Sequence, residues 1–177
     1  MSNPKLVYWD SCIFLDALQQ TPAWSVILKQ FVDAGKDGKL SIVTSSFTLV
    51  EVIRIARHDV NMDPGVAEHQ IASFFDNAFI SVRQLDKPLA GKARVIARDH
   101  GIKPADAVHI ATAIDMKVSV MHTRDGLTKS RGLIGKSNQI GNPALLIEEP
   151  KWAQQIPFIS QPSPSPKATS SDDDETD

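Results

Sequence analysis

KLVYWDSCIFLDAL, residues 5–18, is an apolar run that stops at Asp10 and resumes at once with a different period. Leu6, Val7, Tyr8 and Trp9 are strand formers in a run too short for a helix, whereas Cys12, Leu15 and Ala17 fall near helical spacing. The order is strand, carboxylate, helix. In an open parallel α/β sheet, ligands bind outside the carboxyl ends of the strands, which puts Asp10 at the mouth of such a site. An Asp before an apolar helix is also an ordinary N-cap, and taken alone Asp10 reads that way. Three further carboxylates downstream, each embedded in apolar sequence at an element boundary, change that balance.

Working outward, Thr21-Pro22 followed by WSVILKQFVDAG predicts a capped helix with Trp24, Ile27, Leu28 and Phe31 on one face and Gly35 as its stop. LSIVT, residues 40–44, is a short strand, and Ser45 or Ser46 caps a helix through FTLVEVIRIARHD. Its predicted buried stripe is Phe47, Val50, Ile53 and Ile55, with Glu51 at the stripe's edge. Judged alone, Glu51 is a surface acid beside Arg54. Asn61–Gly65 breaks the pattern, VAEHQIASFFDNA restarts a helix, and residues 79–85 form a strand. Lys87-Pro88 opens a helix that Gly101 ends.

KPADAVHIATA, residues 103–113, carries the next acid. Pro104 suits a first helical turn, and Asp106, His109, Ile110 and Ala113 then share one face. The small residues of this helix allow close packing, so an inward Asp106 has little access to water. The alternative for Asp106 is a partner of the helix dipole. His109 reads as a hydrogen-bonded core histidine rather than a ligand or base. VSVMH, residues 118–122, fits an inner parallel strand, and Thr123-Arg124-Asp125-Gly126 follows at its carboxyl end, where Asp-Gly is also a common turn pair. PALLIE, residues 143–148, supplies the last strand.

The chain has 177 residues, 42% of them hydrophobic, and a net charge of -2, which predicts one core and no bulk attraction to nucleic acid or membrane. Its single cysteine, Cys12, excludes an internal disulfide or a cysteine-based zinc cluster and reads as a small buried hydrophobe. No leader pattern and no membrane-length apolar stretch is present, so the expected location is the cytoplasm. Residues 1–150 are expected to form the domain and 151–177 an extension. Trp152, Ile156 and Phe158 suit packing across the domain, while the Pro-, Ser- and acid-rich segment from about residue 161 is expected to be disordered.

Strands near 5–9, 40–44, 79–85, 118–122 and 144–147 alternate with helices, which predicts a three-layer α/β/α fold with a central, mostly parallel sheet. Such a sheet gathers Asp10, Glu51, Asp106 and Asp125 at one cleft. Four carboxylates together repel and raise one another's pKa unless a cation lies between them. Oxygen-only ligands select a hard ion, Mg²⁺ or Mn²⁺.

The motifs VYWDSCIFLDAL, SSFTLVEVIR, KPADAVHIATA and MHTRDGL, in that order between Lys5 and Glu148, resemble the PIN-domain nucleases, including the ribonuclease toxins of bacterial type II toxin-antitoxin pairs. The resemblance implies a metal site of Asp10, Glu51, Asp106 and Asp125, with Ser11 and Thr123 at hydroxyl positions behind the metal ligands. It also implies a homodimer, an antitoxin protein as partner and RNA as substrate. The chain departs from the family where an aromatic usually follows the T-x-D turn, since Leu127 and Leu133 stand there instead.

The reaction so implied is hydrolysis of an RNA phosphodiester by metal-activated water, with the carboxylates as ligands and Glu51 or Asp125 as the group that positions the water. Arg54, Arg57, Lys103, Arg124, Lys129 and Arg131 flank the acids, and Arg124 with Lys129, which bracket Asp125, are the expected RNA contacts. Two rival readings compete with it. A phosphatase with an aspartyl nucleophile needs a second acid two residues after the first, where this chain has Cys12. A non-catalytic PIN-like module that binds RNA or protein needs none of the four acids, yet all four positions are filled.

Overall fold

The structure is a computed structural model that describes residues 4–55, 63–126 and 132–152. Five strands form one parallel sheet: β1 (Lys5–Trp9), β2 (Leu40–Ser45), β3 (Ile80–Arg83), β4 (Val120–His122) and β5 (Leu146–Glu148), in the order β3-β2-β1-β4-β5. Six helices connect them: α1 (Ser11–Gln19), α2 (Ser25–Lys36), α3 (Ser46–Glu51), α4 (Pro64–Phe75), α5 (Lys87–His100) and α6 (Pro104–Asp115). The fold is the expected α/β architecture, and the sheet is parallel throughout. The chain builds outward from β1 to β3 and then returns to the other side of β1 with β4. The strand order therefore reverses between β1 and β4, the place where open α/β sheets bind ligands.

Strand alternation divides the core in two. Val7, Trp9, Ile42 and Val120 point into the layer of α1, α2 and α4, together with Phe14, Leu28, Phe31 and Phe75. Tyr8, Val43 and Met121 point the other way, against Leu89 and Ala93 of α5 and Ala107, Ile110 and Ala111 of α6.

Three local expectations are corrected. The predicted helix beginning at Pro22 starts at Ser25, after a turn in which the amides of Trp24 and Ser25 bond to the Thr21 carbonyl. Gly35 does not stop that helix; it lies inside it, and a Cβ there would stand 2.6 Å from a ring carbon of Phe79, so glycine is required for this close approach. The helix after β2 ends at Glu51 instead of continuing into RIARHD, whose residues 56–59 lie outside the described residues. At Val52 the chain turns away and buries Val52 and Ile55 with Ile71 and Phe75, leaving Val50 and Ile53 exposed. Core burial of two β-branched residues outweighs their modest preference for staying helical. Gly101, at φ +64, ends α5 as expected.

Candidate metal centre

Asp10 follows β1 directly and is both the helix cap and the centre of the site. Its carboxylate accepts from the Ser11 amide at 2.7 Å, capping α1, and is buried. The Ser11 hydroxyl donates to the same oxygen at 3.2 Å, and the Thr123 hydroxyl donates to the other at 2.7 Å. Ser11 and Thr123 thus both hold Asp10. Thr123 is placed by the end of β4, and its hydroxyl also accepts from the Asp125 amide at 3.0 Å, which ties the TRD turn to Asp10.

Glu51 reaches the site because α3 is short and capped by Ser45, whose hydroxyl accepts from the Phe47 amide. The Glu51 carboxylate meets His109 Nε2 at 2.8 Å, and the same nitrogen is 3.4 Å from Asp10 Oδ1. On the far side of the ring, Nδ1 lies 2.8 Å from the buried Tyr8 hydroxyl. Ligand atoms of Asp10, Glu51 and His109 all lie within 4.8 Å of one another. His109 is buried and hydrogen-bonded, as the sequence suggested, but its partners are the site's own carboxylates. Burial alone depresses a histidine pKa; here the Glu51 hydrogen bond and the charges of Asp10, Glu51 and Asp106 outweigh it and hold the imidazole above its ordinary value.

Asp106, in the first turn of α6, is half-buried. Burial first, then the charges of Asp125 and Asp10, raises its pKa, against a smaller opposing pull from Lys103 and His109. Asp106 therefore lies within electrostatic reach of both Asp10 and Asp125, although neither Asp106 nor Asp125 belongs to the tight cluster formed by Asp10, Glu51 and His109. Asp125 is held by a backbone crossing: Gly126, at φ +105, passes so close to Gly132 that a Cβ on Gly126 would stand 2.1 Å from the Gly132 Cα. Cys12 touches Asp10 and Thr123 at 3.6 Å; burial, then the Asp10 charge, pushes its thiol up to about 12, which leaves it an inert filler.

Arg124 forms an ion pair through Nε with Asp16, an acid buried in α1. Asp16 was not singled out in the sequence, although an acid within FLDAL is a detectable signal. Lys103 and Arg54 are exposed near the acids, while Arg57, Lys129 and Arg131 lie outside the described residues.

The donor set fits a divalent cation. Two carboxylates and one imidazole converge at the sheet's switch point, their outer atoms held by Ser11, Thr123 and Tyr8.

Among solved structures, the chain is similar to VapBC2 from Rickettsia felis, crystallised with a DNA fragment from its promoter, at 16% identity and a TM-score of 0.54, over 81% of this chain and 98% of that one. It is similar to a toxin-antitoxin complex from Klebsiella pneumoniae at 18% identity and a TM-score of 0.45, over 67% of this chain and 86% of that one. It is also similar to FitAcB from Neisseria gonorrhoeae at 18% identity and a TM-score of 0.43, over 67% and 87%. No curated protein matches the chain. The first of these likenesses agrees with the fold, and the PIN domain model matches residues 7–128, so the chain belongs to the PIN-domain family.

Proposed function

We propose that this protein is a Mg²⁺- or Mn²⁺-dependent endoribonuclease, a hydrolase of RNA phosphodiester bonds, and the toxin of a toxin-antitoxin pair. The observation that carries the reading is the convergence of Asp10, Glu51 and His109 at the β1–β4 switch point of a PIN domain, with Asp106 within electrostatic reach of both Asp10 and Asp125. Members of this family are generally nucleases that use divalent metals. In this reading Asp10, Glu51, Asp106 and Asp125 hold the ion, and Ser11 and Thr123 fix the Asp10 carboxylate. When bound, the ion lowers the pKa of water and offsets charge on the phosphoryl oxygens. Glu51, 29% exposed at its side chain, is open enough to orient the attacking water and accept its proton. Arg124, anchored to Asp16 yet 40% exposed, offers its guanidinium to a phosphate, and Lys129 is assigned the same role.

The nuclease domain is taken as residues 1–150, with 151–177 as an extension, in a cytoplasmic homodimer bound by an antitoxin. Exposed Val26 on α2 and Val66 on α4, with Leu49, Val50 and Ile53 beside Glu51, support a protein partner. Among the described residues no helix is long and apolar enough to cross a membrane.

Incubation with a mixed RNA pool tests the activity. Cleavage is expected with Mg²⁺ or Mn²⁺, is expected to stop in chelator, and is expected to fall at least about a hundredfold in Asp10→Asn. Metal-independent cleavage, or full activity in the variant, overturns the reading. The second reading, a non-catalytic PIN-like module binding RNA or protein, is favoured by one observation: the His109–Glu51 hydrogen bond gives the Glu51 carboxylate a partner within the protein. RNA binding with no cleavage under any divalent ion would establish it.

A further inference from the structure

We infer that His109 is itself a metal ligand, through Nε2, and that it shifts the site's preference from Mg²⁺ toward Mn²⁺. The inference rests on the nuclease reading above but departs from the all-carboxylate site that the sequence implied. Its basis is the orientation of the imidazole. A histidine that merely fills a core needs only satisfied nitrogens, and either ring nitrogen may take either partner. Here Nδ1 is engaged by a completely buried hydroxyl, that of Tyr8, at 2.8 Å. The Thr44 and Thr48 hydroxyls and the Ser45 amide in turn surround that phenol oxygen, and Thr44 and Thr48 bond each other at 2.7 Å. This buried chain holds the ring so that Nε2 faces Glu51 and Asp10 together.

An imidazole with one nitrogen held by a buried hydrogen bond and the other aimed at two carboxylates has the arrangement of a metal-bound histidine. A phenol hydroxyl both donates and accepts. Tyr8 can therefore donate to Nδ1 when Nε2 carries a proton toward Glu51, and accept from Nδ1–H when Nε2 offers its lone pair to an ion. The same contacts serve both states of the site without movement of the ring. Mg²⁺ strongly prefers oxygen and releases its waters reluctantly, whereas first-row transition ions gain from a nitrogen donor. Mn²⁺ accepts both the carboxylates and the imidazole.

The deciding measurement is pulsed electron paramagnetic resonance of the full-length protein loaded with Mn²⁺, where a directly bound imidazole nitrogen gives a ¹⁴N modulation. That modulation is expected in the native protein and is expected to vanish in His109→Gln. In competition titrations, Mg²⁺ is expected to need at least about a tenfold excess over Mn²⁺ for half displacement in the native protein, and an excess nearer to parity in the variant. Tyr8→Phe, which keeps the ring buried but removes the bond to Nδ1, is expected to weaken Mn²⁺ binding about tenfold. The native spectrum decides the question even if His109→Gln does not fold. Bound Mn²⁺ that is lost in Asp10→Asn but lacks the nitrogen modulation overturns the role of His109 and leaves the metal site standing. No Mn²⁺ or Mg²⁺ binding at all, or binding unchanged in Asp10→Asn, overturns both.

Discussion

Two buried histidines stand on opposite faces of the same sheet and are treated in opposite ways. His109 lies on the α6 side, bonded to Glu51 and Tyr8, and its pKa is raised although burial pulls it down. His122, the last residue of β4, lies on the α2 side, with its ring edge-on to Phe31 at 5.0 Å, beside a cavity of about 700 Å³ that Trp152 also lines. Its Nδ1 has no hydrogen-bond partner among the described residues, and burial, helped by Lys5 and Lys151, lowers its pKa to about 4. Burial is common to both. What differs is company, and the company of carboxylates is what marks one face of the sheet as chemical and the other as packing.

The most severe way to break this contrast is to remove His109. In metal-free buffer, His109→Ala empties a buried site and removes the hydrogen-bond partner of Glu51 and Tyr8, and unfolding in urea is expected to show a loss of about 3 to 4 kcal/mol. Added Mn²⁺ is expected to recover part of it. A loss below about 1 kcal/mol would mean that the imidazole does not tie the cluster together.

His122 sharpens the contrast from the other side. Its folded pKa lies below the unfolded value of about 6.5, so between those two values the unfolded chain binds the extra proton and stability falls as pH falls. The expected contribution is about 2 kcal/mol lost at pH 5 relative to pH 7, approaching about 3 kcal/mol below pH 4. Urea melts across this range, compared with His122→Phe, isolate the effect. The variant should lose less stability on acidification, and identical slopes would refute the assignment.

The smallest effect concerns Asp106, whose raised pKa means that its charge is disfavoured in the fold. Because the folded protein holds this proton more tightly than the unfolded chain, Asp106 favours the folded state as pH falls through its range. Asp106→Asn is expected to raise the melting temperature by about 2 °C in chelator while weakening metal binding. A lower melting temperature without metal would show that the carboxylate is stabilising as it stands.

Much of this arrangement was legible in the chain because it rests on local signals. The change of period at Asp10, Gly101 after α5, Pro104 opening α6 and the Asp-Gly pair at 125–126 each fix backbone locally, and each stands where its chemistry predicted. What was not legible depends on distant partners. Nothing local says that Phe79 will press on Gly35, or that Val52 and Ile55 will leave their helix for Ile71 and Phe75. His109 was read correctly as buried, but its meaning came from Glu51, 58 positions away, and Tyr8, 101 positions away. Arg124 looked like a free cation beside Asp125 until Asp16 was found against it.

The crossing of Gly126 over Gly132 bears on how this protein can diversify. Two glycines in backbone contact act as a collar, and the Asp125 carbonyl accepts from the Ile134 amide just beyond it. A side chain at either position would push the two segments apart and move the backbone that carries Asp125. Variation is thus closed at these two positions, whose lack of a side chain keeps the backbone of the acid in place.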